Sequence, residues 1–183
     1  MNGTNQAGPD RLTLNGTSDY VNLGASNYIE NTSFTIAAWV YPTALGYWGG
    51  IMDKFQADQY VTLGLWQTPF DNFDFVTGNG TWGDAFTTTT ITTGVWYYVV
   101  ATWDGTTKSI YLNGNLENSV VPDASEAPCT GAGDLWVGAR NYGGAFYDGS
   151  IAAVQIYTRA LSPSEISQNC NAYVSRFPGA TCS

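Results

Sequence analysis

Residues 95–115 read VWYYVVATWDGTTKSIYLNGN and give the clearest indication of the fold class. Two runs rich in aromatic and β-branched residues flank the turn signal DGTT, and a second turn signal, NGN, follows. Turns that contain Gly and Asn or Asp between such runs are typical of β-hairpins. Similar apolar runs separated by turns recur along the chain, as expected for a β-sandwich or barrel.

The composition favours the same class. Aromatic residues make up 15% of the 183 residues, and charged residues only 11%. Abundant aromatic side chains favour strands, while scarce Lys and Glu disfavour exposed helices. A chain of this length builds one core, so we predict a single all-β domain over residues 1–183.

Two segments predict particular elements. Residues 33–42, SFTIAAWVYP, are apolar on both alternating faces and predict a central strand that is covered on both sides and ends at Pro42. Residues 162–169, SPSEISQN, predict one helix of about two turns, because Ser162 and Glu165 have the spacing of a capping box.

The charge of the chain argues against two classes of partner. The formal net charge is −9, and the six Lys and Arg residues are scattered singly. Nucleic acids need a basic stripe and anionic membranes repel an acidic surface, so we predict binding to neither. We also predict no membrane insertion, since no run of about 18 apolar residues occurs. We predict no signal peptide in this chain, since no basic region is followed by an apolar one at its start.

Three cysteines, Cys129, Cys170 and Cys182, leave the redox state open. No CxxC pair and no histidine occur in the sequence, which argues against a zinc site. One disulfide with one free thiol, or three free thiols, fits the sequence. Between possible bridges we favour Cys170–Cys182, because it would tie the terminal tail to the body of the domain.

Three segments together resemble the laminin-G-like, concanavalin A-like lectin-glucanase jelly-roll superfamily, in its bacterial and bacteriophage branch. They are FTIAAWVYPT at 34–43, the hairpin at 95–114 and FYDGSIAAVQIYTRALSPSEI at 146–166. The resemblance implies a core over about residues 11–170, with a C-terminal tail at 171–183. It also implies two antiparallel jelly-roll sheets and a short helix near the end.

Calcium is the cofactor that this resemblance implies. The structural calcium site of relatives falls near Asp19 and Asp148, which are therefore the metal candidates. Relatives commonly carry an acidic residue directly after the Ile of G-x-I, and Ala152 stands there in this chain. Two further clusters carry oxygen ligands that calcium could use: Asp53 with Asp58, and Asp71, Asn72 and Asp74 in one loop. We interpret both clusters as solvated turns.

The tail implies a second function. Residues 164–177, SEISQNCNAYVSRF, resemble the ends of such domains in bacteriophage virion proteins. This resemblance implies a structural virion-surface protein, such as a capsid decoration or fibre domain, that binds other protein subunits. The implied location is extracellular or on a virion surface.

No catalytic constellation is predicted. The absence of histidine removes Ser/His and Cys/His nucleophiles. Glycoside hydrolysis needs two facing carboxylates, and related glucanases carry them as E-x-D-x-x-E. Asp123 and Glu126 match the second half of that pattern, but Val121 stands where the first Glu is needed. We therefore predict that the protein is not an enzyme.

Four segments carry the residues that a sugar site needs, namely 44–50, 65–73, 78–86 and 139–149. Sugars stack their C–H faces on Trp and Tyr and pair their hydroxyls with Asp, Asn and Gln. The candidate ligand contacts are Tyr47, Trp48, Trp66, Asp71, Asn72, Trp82, Asp84, Asn141 and Tyr142.

Each candidate has a competing structural interpretation. Trp66 ends a strand pattern, which favours a core position, whereas Trp48 and Trp82 are equally compatible with ligand contact and with packing. The remaining tryptophans lie in strand patterns and are interpreted as structural: Trp39, Trp96, Trp103 and Trp136. The sequence thus predicts a non-catalytic, lectin-like module that binds carbohydrate through aromatic-bearing loops, on one rim or on the concave face.

Overall fold

Two antiparallel sheets form the body of the protein in a computed structural model that describes residues 10–25, 33–56, 61–128, 133–141 and 143–183. Strands are numbered in chain order. The first sheet has the order β1 (Leu12–Asn15), β12 (Asp148–Tyr157), β3 (Phe34–Pro42), β8 (Tyr97–Trp103), β9 (Lys108–Leu112) and β10 (Asn115–Val120). The second has the order β2 (Val21–Ala25), β11 (Asp134–Val137), β4 (Gly49–Gln56), β5 (Val61–Gln67), β6 (Phe73–Asn79) and β7 (Trp82–Gly83).

The predicted all-β jelly-roll sandwich is confirmed. The hairpin at 95–115 forms β8, β9 and the turn into β10, and the run at 33–42 forms β3, which ends at Pro42 as predicted. β7 is a strand that the sequence did not indicate, because its two residues lie among turn-forming residues. The assignment of the whole chain to one domain stays a prediction.

β3 is buried on both of its faces, as its sequence predicts. Phe34, Ile36 and Val40 belong to the core between the two sheets, together with Phe73 and Phe75 of β6. The alternate residues point away from that core, because successive side chains of a strand face opposite sides. Trp39 is one of them, and it is fully buried in a second apolar cluster on the outer face of the first sheet.

A helix, α1 (Pro163–Tyr173), and the C-terminal tail cover this second cluster. The Trp39 ring stacks on Phe177 of the tail, with centroids 4.3 Å apart, and Ile166 and Cys170 of the helix are buried beside it. Among the residues that the structure describes, no helix is long and apolar enough to cross a membrane.

The predicted capping box is present, but the predicted length of the helix is wrong. The Ser162 hydroxyl accepts from the Glu165 backbone N–H, and the Glu165 carboxylate accepts from the Ser162 backbone N–H at 2.9 Å. The helix runs eleven residues instead of about two turns. It continues because Ile166 and Cys170, one turn apart, both face the first sheet.

The disulfide that the sequence analysis favoured, Cys170–Cys182, is present. It joins the helix to the tail and so holds Phe177 against the sheet. Cys129 lies outside the described residues.

We expect Cys182→Ser to lower the free energy of unfolding by about 2–4 kcal/mol, because the bridge restricts the unfolded chain and holds the cover of Trp39. Thermal or urea unfolding with and without reductant measures the effect. The reductant should destabilise the wild type and leave Cys182→Ser unchanged. Equal stability of wild type and variant under oxidising conditions would contradict the expectation.

Candidate functional site

The candidate site lies on the outer face of the second sheet. Leu65, Phe73 and Phe75 of β5 and β6 point into the core, so Trp66 and Asp74, which alternate with them, face outward. Helix α1 and the tail cover the other sheet, which leaves this face for the loops of the second sheet.

Three tryptophans from three separate segments converge there on one arginine. The guanidinium carbon (Cζ) of Arg140 lies 3.8 Å from the Trp66 ring centroid, 5.6 Å from that of Trp48 and 5.7 Å from that of Trp82. Trp48 and Trp82 meet Trp66 edge to face, with centroids 6.0 Å and 5.9 Å away. We call these four residues the arginine–tryptophan cluster; its cation–π and edge-to-face geometries are both attractive.

The three rings differ in exposure. Trp66 is only 2% exposed and lies beneath Arg140, Trp48 is half-buried, and Trp82 is 39% exposed. Trp66 is therefore buried, as its structural interpretation predicts. Its ring lies on the outer face of the second sheet and not in the core between the two sheets. Trp82 therefore combines edge-to-face packing against Trp66 with partial exposure to solvent.

Glycines make room for the tryptophans. A Cβ atom at Gly64 would lie 2.2 Å from Nε1 of Trp66, so only glycine lets that ring lie flat over β5. At Gly78, the partner of Trp82 in β6, a Cβ atom would lie 2.5 Å from the Thr81 carbonyl oxygen. The turn that carries Trp82 can approach β6 because this side chain is missing.

Asp53 of β4 ties the cluster to the loop that carries Arg140. Its Oδ1 accepts from Trp66 Nε1–H at 2.8 Å, and its Oδ2 accepts from the Asn141 backbone N–H at 2.7 Å. The carboxylate is 1% exposed, and this burial raises the pKa of Asp53 to about 6 against the lowering effects of the two hydrogen bonds and of Arg140.

Backbone hydrogen bonds fix the same loop. The Arg140 N–H donates to the Ala145 carbonyl at 2.9 Å, and the Gly50 N–H donates to the same oxygen at 3.2 Å. The side-chain amide of Asn141 adds to them: its Nδ2 donates to the backbone carbonyls of Phe55 and Asp134. The loop that carries the Arg140 guanidinium is therefore anchored on β4 and β11.

A second buried carboxylate borders the cluster. Asp74, the cross-strand partner of Trp66, is fully buried, and its Oδ1 accepts from the Ala85 N–H at 3.2 Å. Burial, followed by the nearby Asp84, raises the pKa of Asp74 well above its usual range. The interpretation of Asp53 and Asp74 as parts of solvated turns is wrong, because both are buried strand residues; Asp58 lies outside the described residues.

The predicted ligand contacts do not all come together. Trp48, Trp66 and Trp82 meet, and exposed Asp84 lies two residues after Trp82. Asp71 and Asn72 precede β6, whereas Gly78, the cross-strand partner of Trp82, lies near its other end. At about 3.3 Å per residue, the two positions are about 20 Å apart along the strand.

The other predicted polar and tyrosine contacts serve local structure. Asn72 bonds to the Thr68 hydroxyl and the Thr87 carbonyl, and Asn141 braces its own loop. The Tyr47 hydroxyl accepts from the Asp148 N–H at 2.6 Å. Tyr142 lies outside the described residues, and the ligand-contacting role of every predicted residue stays a prediction.

Neither Arg140 nor Asp53 was predicted from the sequence to belong to the sugar site. One signal was available for Arg140, which is the only basic residue in the four segments predicted to form the sugar site. Asp53 gave no comparable signal, because its partners, Trp66 and Asn141, are 13 and 88 residues away in the chain.

The calcium candidates lie at one end of the first sheet. Asp148 pairs with Asn15 in the ladder between β1 and β12, and its Oδ1 accepts from the Thr43 hydroxyl at 2.6 Å. Asp19 is exposed. No group of three or more His, Cys, Asp or Glu residues suited to a metal occurs in the described part of the chain. Two carboxylates supply fewer than the six to eight oxygens that calcium takes, so backbone carbonyls or water would have to complete this site.

Comparisons with known proteins agree with this architecture. The family model described as the concanavalin A-like lectin/glucanases superfamily matches residues 15–167. No curated protein matches the chain by sequence.

Solved structures with this fold come from diverse sources. Domain 4 of AbnA, a GH43 extracellular arabinanase from Geobacillus stearothermophilus in complex with arabinotriose, has a TM-score of 0.73 at 21% identity, over 86% of this chain and 75% of that one. The CBM40 of the Ruminococcus gnavus IT-sialidase, bound to α2,3-sialyllactose, has a TM-score of 0.70 at 16% identity, over 87% and 94%. A heptameric SAP-like pentraxin from Limulus polyphemus has a TM-score of 0.69 at 14% identity, over 91% and 84%.

We expect the stability contribution of Asp53 to fall as pH rises. Its pKa is about 6 in the folded protein and 3.8 as a model value, so between these pH values the unfolded chain loses the proton more readily. The free energy of unfolding of wild type should therefore decline by about 3 kcal/mol relative to Asp53→Asn between pH 3 and 7.

Urea unfolding at several pH values checks this expectation, with Asp10→Asn, at an exposed position, as the control. The stabilities of wild type and Asp10→Asn should change in parallel. If the curves of wild type and Asp53→Asn are also parallel, Asp53 does not titrate as expected.

Proposed function

Because the chain belongs to the concanavalin A-like lectin/glucanases superfamily, we propose that it is a non-catalytic carbohydrate-binding module whose ligand contacts the arginine–tryptophan cluster. The observation that carries the proposal is the convergence of Trp48, Trp66 and Trp82 around Arg140, with Trp82 left 39% exposed. Two structural neighbours, the arabinanase domain and the sialidase module, were solved with sugars bound, which supports this proposal.

The chemistry of the cluster suits a sugar. The open Trp82 surface provides a flat apolar face for the C–H groups of a pyranose or furanose ring. The Arg140 guanidinium beside Trp82 can donate hydrogen bonds to sugar hydroxyls, and the exposed Asp84 can accept them. Preformed aromatic surfaces with a few polar groups at their border are typical of small-molecule sites.

The burial of Asp74 supports a binding role without hydrolysis. Glycoside cleavage requires two carboxylates that both reach the glycosidic bond. Asp74 borders the cluster but is fully buried, so it cannot reach a sugar lying on Trp82 in this conformation. We expect no release of reducing ends when the protein is incubated with any glycan that it binds.

We expect Trp82→Ala to weaken glycan binding by about tenfold or more, because loss of about 1.4 kcal/mol of stacking changes affinity tenfold. A glycan array on the purified wild type identifies the ligand class, and calorimetry with the best ligand compares the variants. Leu116→Ala is the matched control, since Leu116 is 55% exposed on the first sheet. An array with no binding to the folded protein, or full binding by Trp82→Ala, would contradict the proposal.

A structural calcium held by Asp19 and Asp148 stays a prediction. If calcium binds there, it should raise the melting temperature of the wild type, and EDTA should remove the increase. Asp148→Asn should melt at the same temperature with and without calcium. A wild type that is insensitive to both calcium and EDTA would contradict the prediction.

The virion-surface function also stays a prediction from the tail sequence, as does the location outside the cell or on a virion. None of the structural neighbours reported above is described as a virion protein. A capsid decoration or fibre domain should associate with itself or with a capsid lattice, which sedimentation of the purified protein measures.

A further inference from the structure

Arg140 holds its guanidinium group in a specific orientation. Its Cζ is 3.8 Å from the Trp66 centroid, a distance at which a planar guanidinium lies over the ring. Trp48 and Trp82 stand at similar distances on the same cation, 5.6 Å and 5.7 Å. The loop that carries Arg140 is fixed by the bond from the Asn141 N–H to Asp53.

This geometry separates two kinds of interaction on one side chain. Stacking uses the face of the guanidinium, whereas its N–H donors lie in the plane and point outward along its edges. A carboxylate binds a guanidinium along an edge, commonly with two parallel hydrogen bonds. Stacking on Trp66 therefore leaves the in-plane donors of the Arg140 guanidinium to make hydrogen bonds, with protein groups or with an anionic group of a ligand.

We propose that the glycan bound at the arginine–tryptophan cluster is acidic, with its ring stacked on Trp82 and its carboxylate bound by the edge of the Arg140 guanidinium. This inference rests on the function proposed above and adds the chemical class of the ligand. The 5.7 Å between Cζ of Arg140 and the Trp82 centroid lets a substituent at the edge of a stacked ring reach the guanidinium.

The neighbouring acids modify this attraction without cancelling it. Both oxygens of Asp53 accept hydrogen bonds, one from Trp66 and one from Asn141, so this carboxylate is directed at those two donors. Burial raises the pKa of Asp74 well above its usual range, which weakens its repulsion of an anion. Asp84 is exposed, where solvent and salt screen its charge.

The aromatic surroundings strengthen the interaction. The described chain carries its few cations singly, and Arg140 is the one flanked by three tryptophans. Aromatic rings displace water around the guanidinium, and a charge interaction is stronger where less water screens it. A neutral sugar would gain the stacking on Trp82 but not this ion pair.

The test compares oligosaccharides that contain uronate or sialate residues with their methyl esters, in which the ring is kept and the charge is lost. The wild type should bind the acids about tenfold or more tightly than the esters, as calorimetry measures. Arg140→Gln should bind acid and ester equally, because it removes the charge that distinguishes them. Arg140→Lys should lose part of the preference, because it keeps the charge and loses the planar fork.

Arg11→Gln, which removes an exposed arginine, should keep the full preference for the acids. If Arg140→Gln does not fold, the acid-to-ester ratios of wild type and Arg140→Lys decide the question. Equal binding of acid and ester by wild type would overturn the acidic ligand and leave the carbohydrate-binding function standing. Failure to bind any glycan, acidic or neutral, would overturn the proposed function and this inference with it.

Discussion

The burial of both faces of β3 is the constraint on which the rest of the structure depends. Its inward residues fill the core against the second sheet, and Trp39 on its outward face needs a separate cover. Helix α1, Phe177 and the Cys170–Cys182 bridge supply that cover. One outer face of the sandwich is occupied in this way, and the arginine–tryptophan cluster lies on the other.

On that other face, a buried carboxylate sets the geometry. Burial disfavours the charged form of Asp53 and raises its pKa, yet its two oxygens orient Trp66 and the loop that carries Arg140. A buried charge that is fully hydrogen-bonded can specify one arrangement where apolar packing would allow several. The hydrogen bonds of Asp53 thus fix the arrangement of the cluster, although burial of this carboxylate disfavours its charged form.

Local sequence signals predicted the strands, turns and helix of this fold. Contacts between residues that are far apart in the chain were harder to predict. The DGTT turn, the two-faced run of β3 and the capping box at Ser162 act within a few residues, so sequence alone identifies them. Three of the predicted ligand contacts, Trp48, Trp66 and Trp82, do meet in space. The turn-like surroundings of Trp48 and Trp82 mark these two as candidates, whereas Trp66 ends a strand pattern.

The remaining errors have physical causes. Asp53 and Asp74 looked solvated because acidic residues usually are, whereas the sheet places each beside a hydrogen-bond donor from another segment. Asp71 and Asn72 have suitable chemistry but lie at the far end of β6. Pairing across strands decides such positions, and it depends on register that composition does not specify.

Gly64 has a wider consequence for comparing this protein with its relatives. The position tolerates no side chain beneath Trp66, so a single methyl group there would displace the ring and the arginine that rests on it. A glycine two residues before a tryptophan in this strand, with an arginine shortly after β11, is therefore a sequence signature of the cluster. Within a superfamily that shares one fold among many ligands, that signature would separate the chains built like this one from those that use the same sandwich differently.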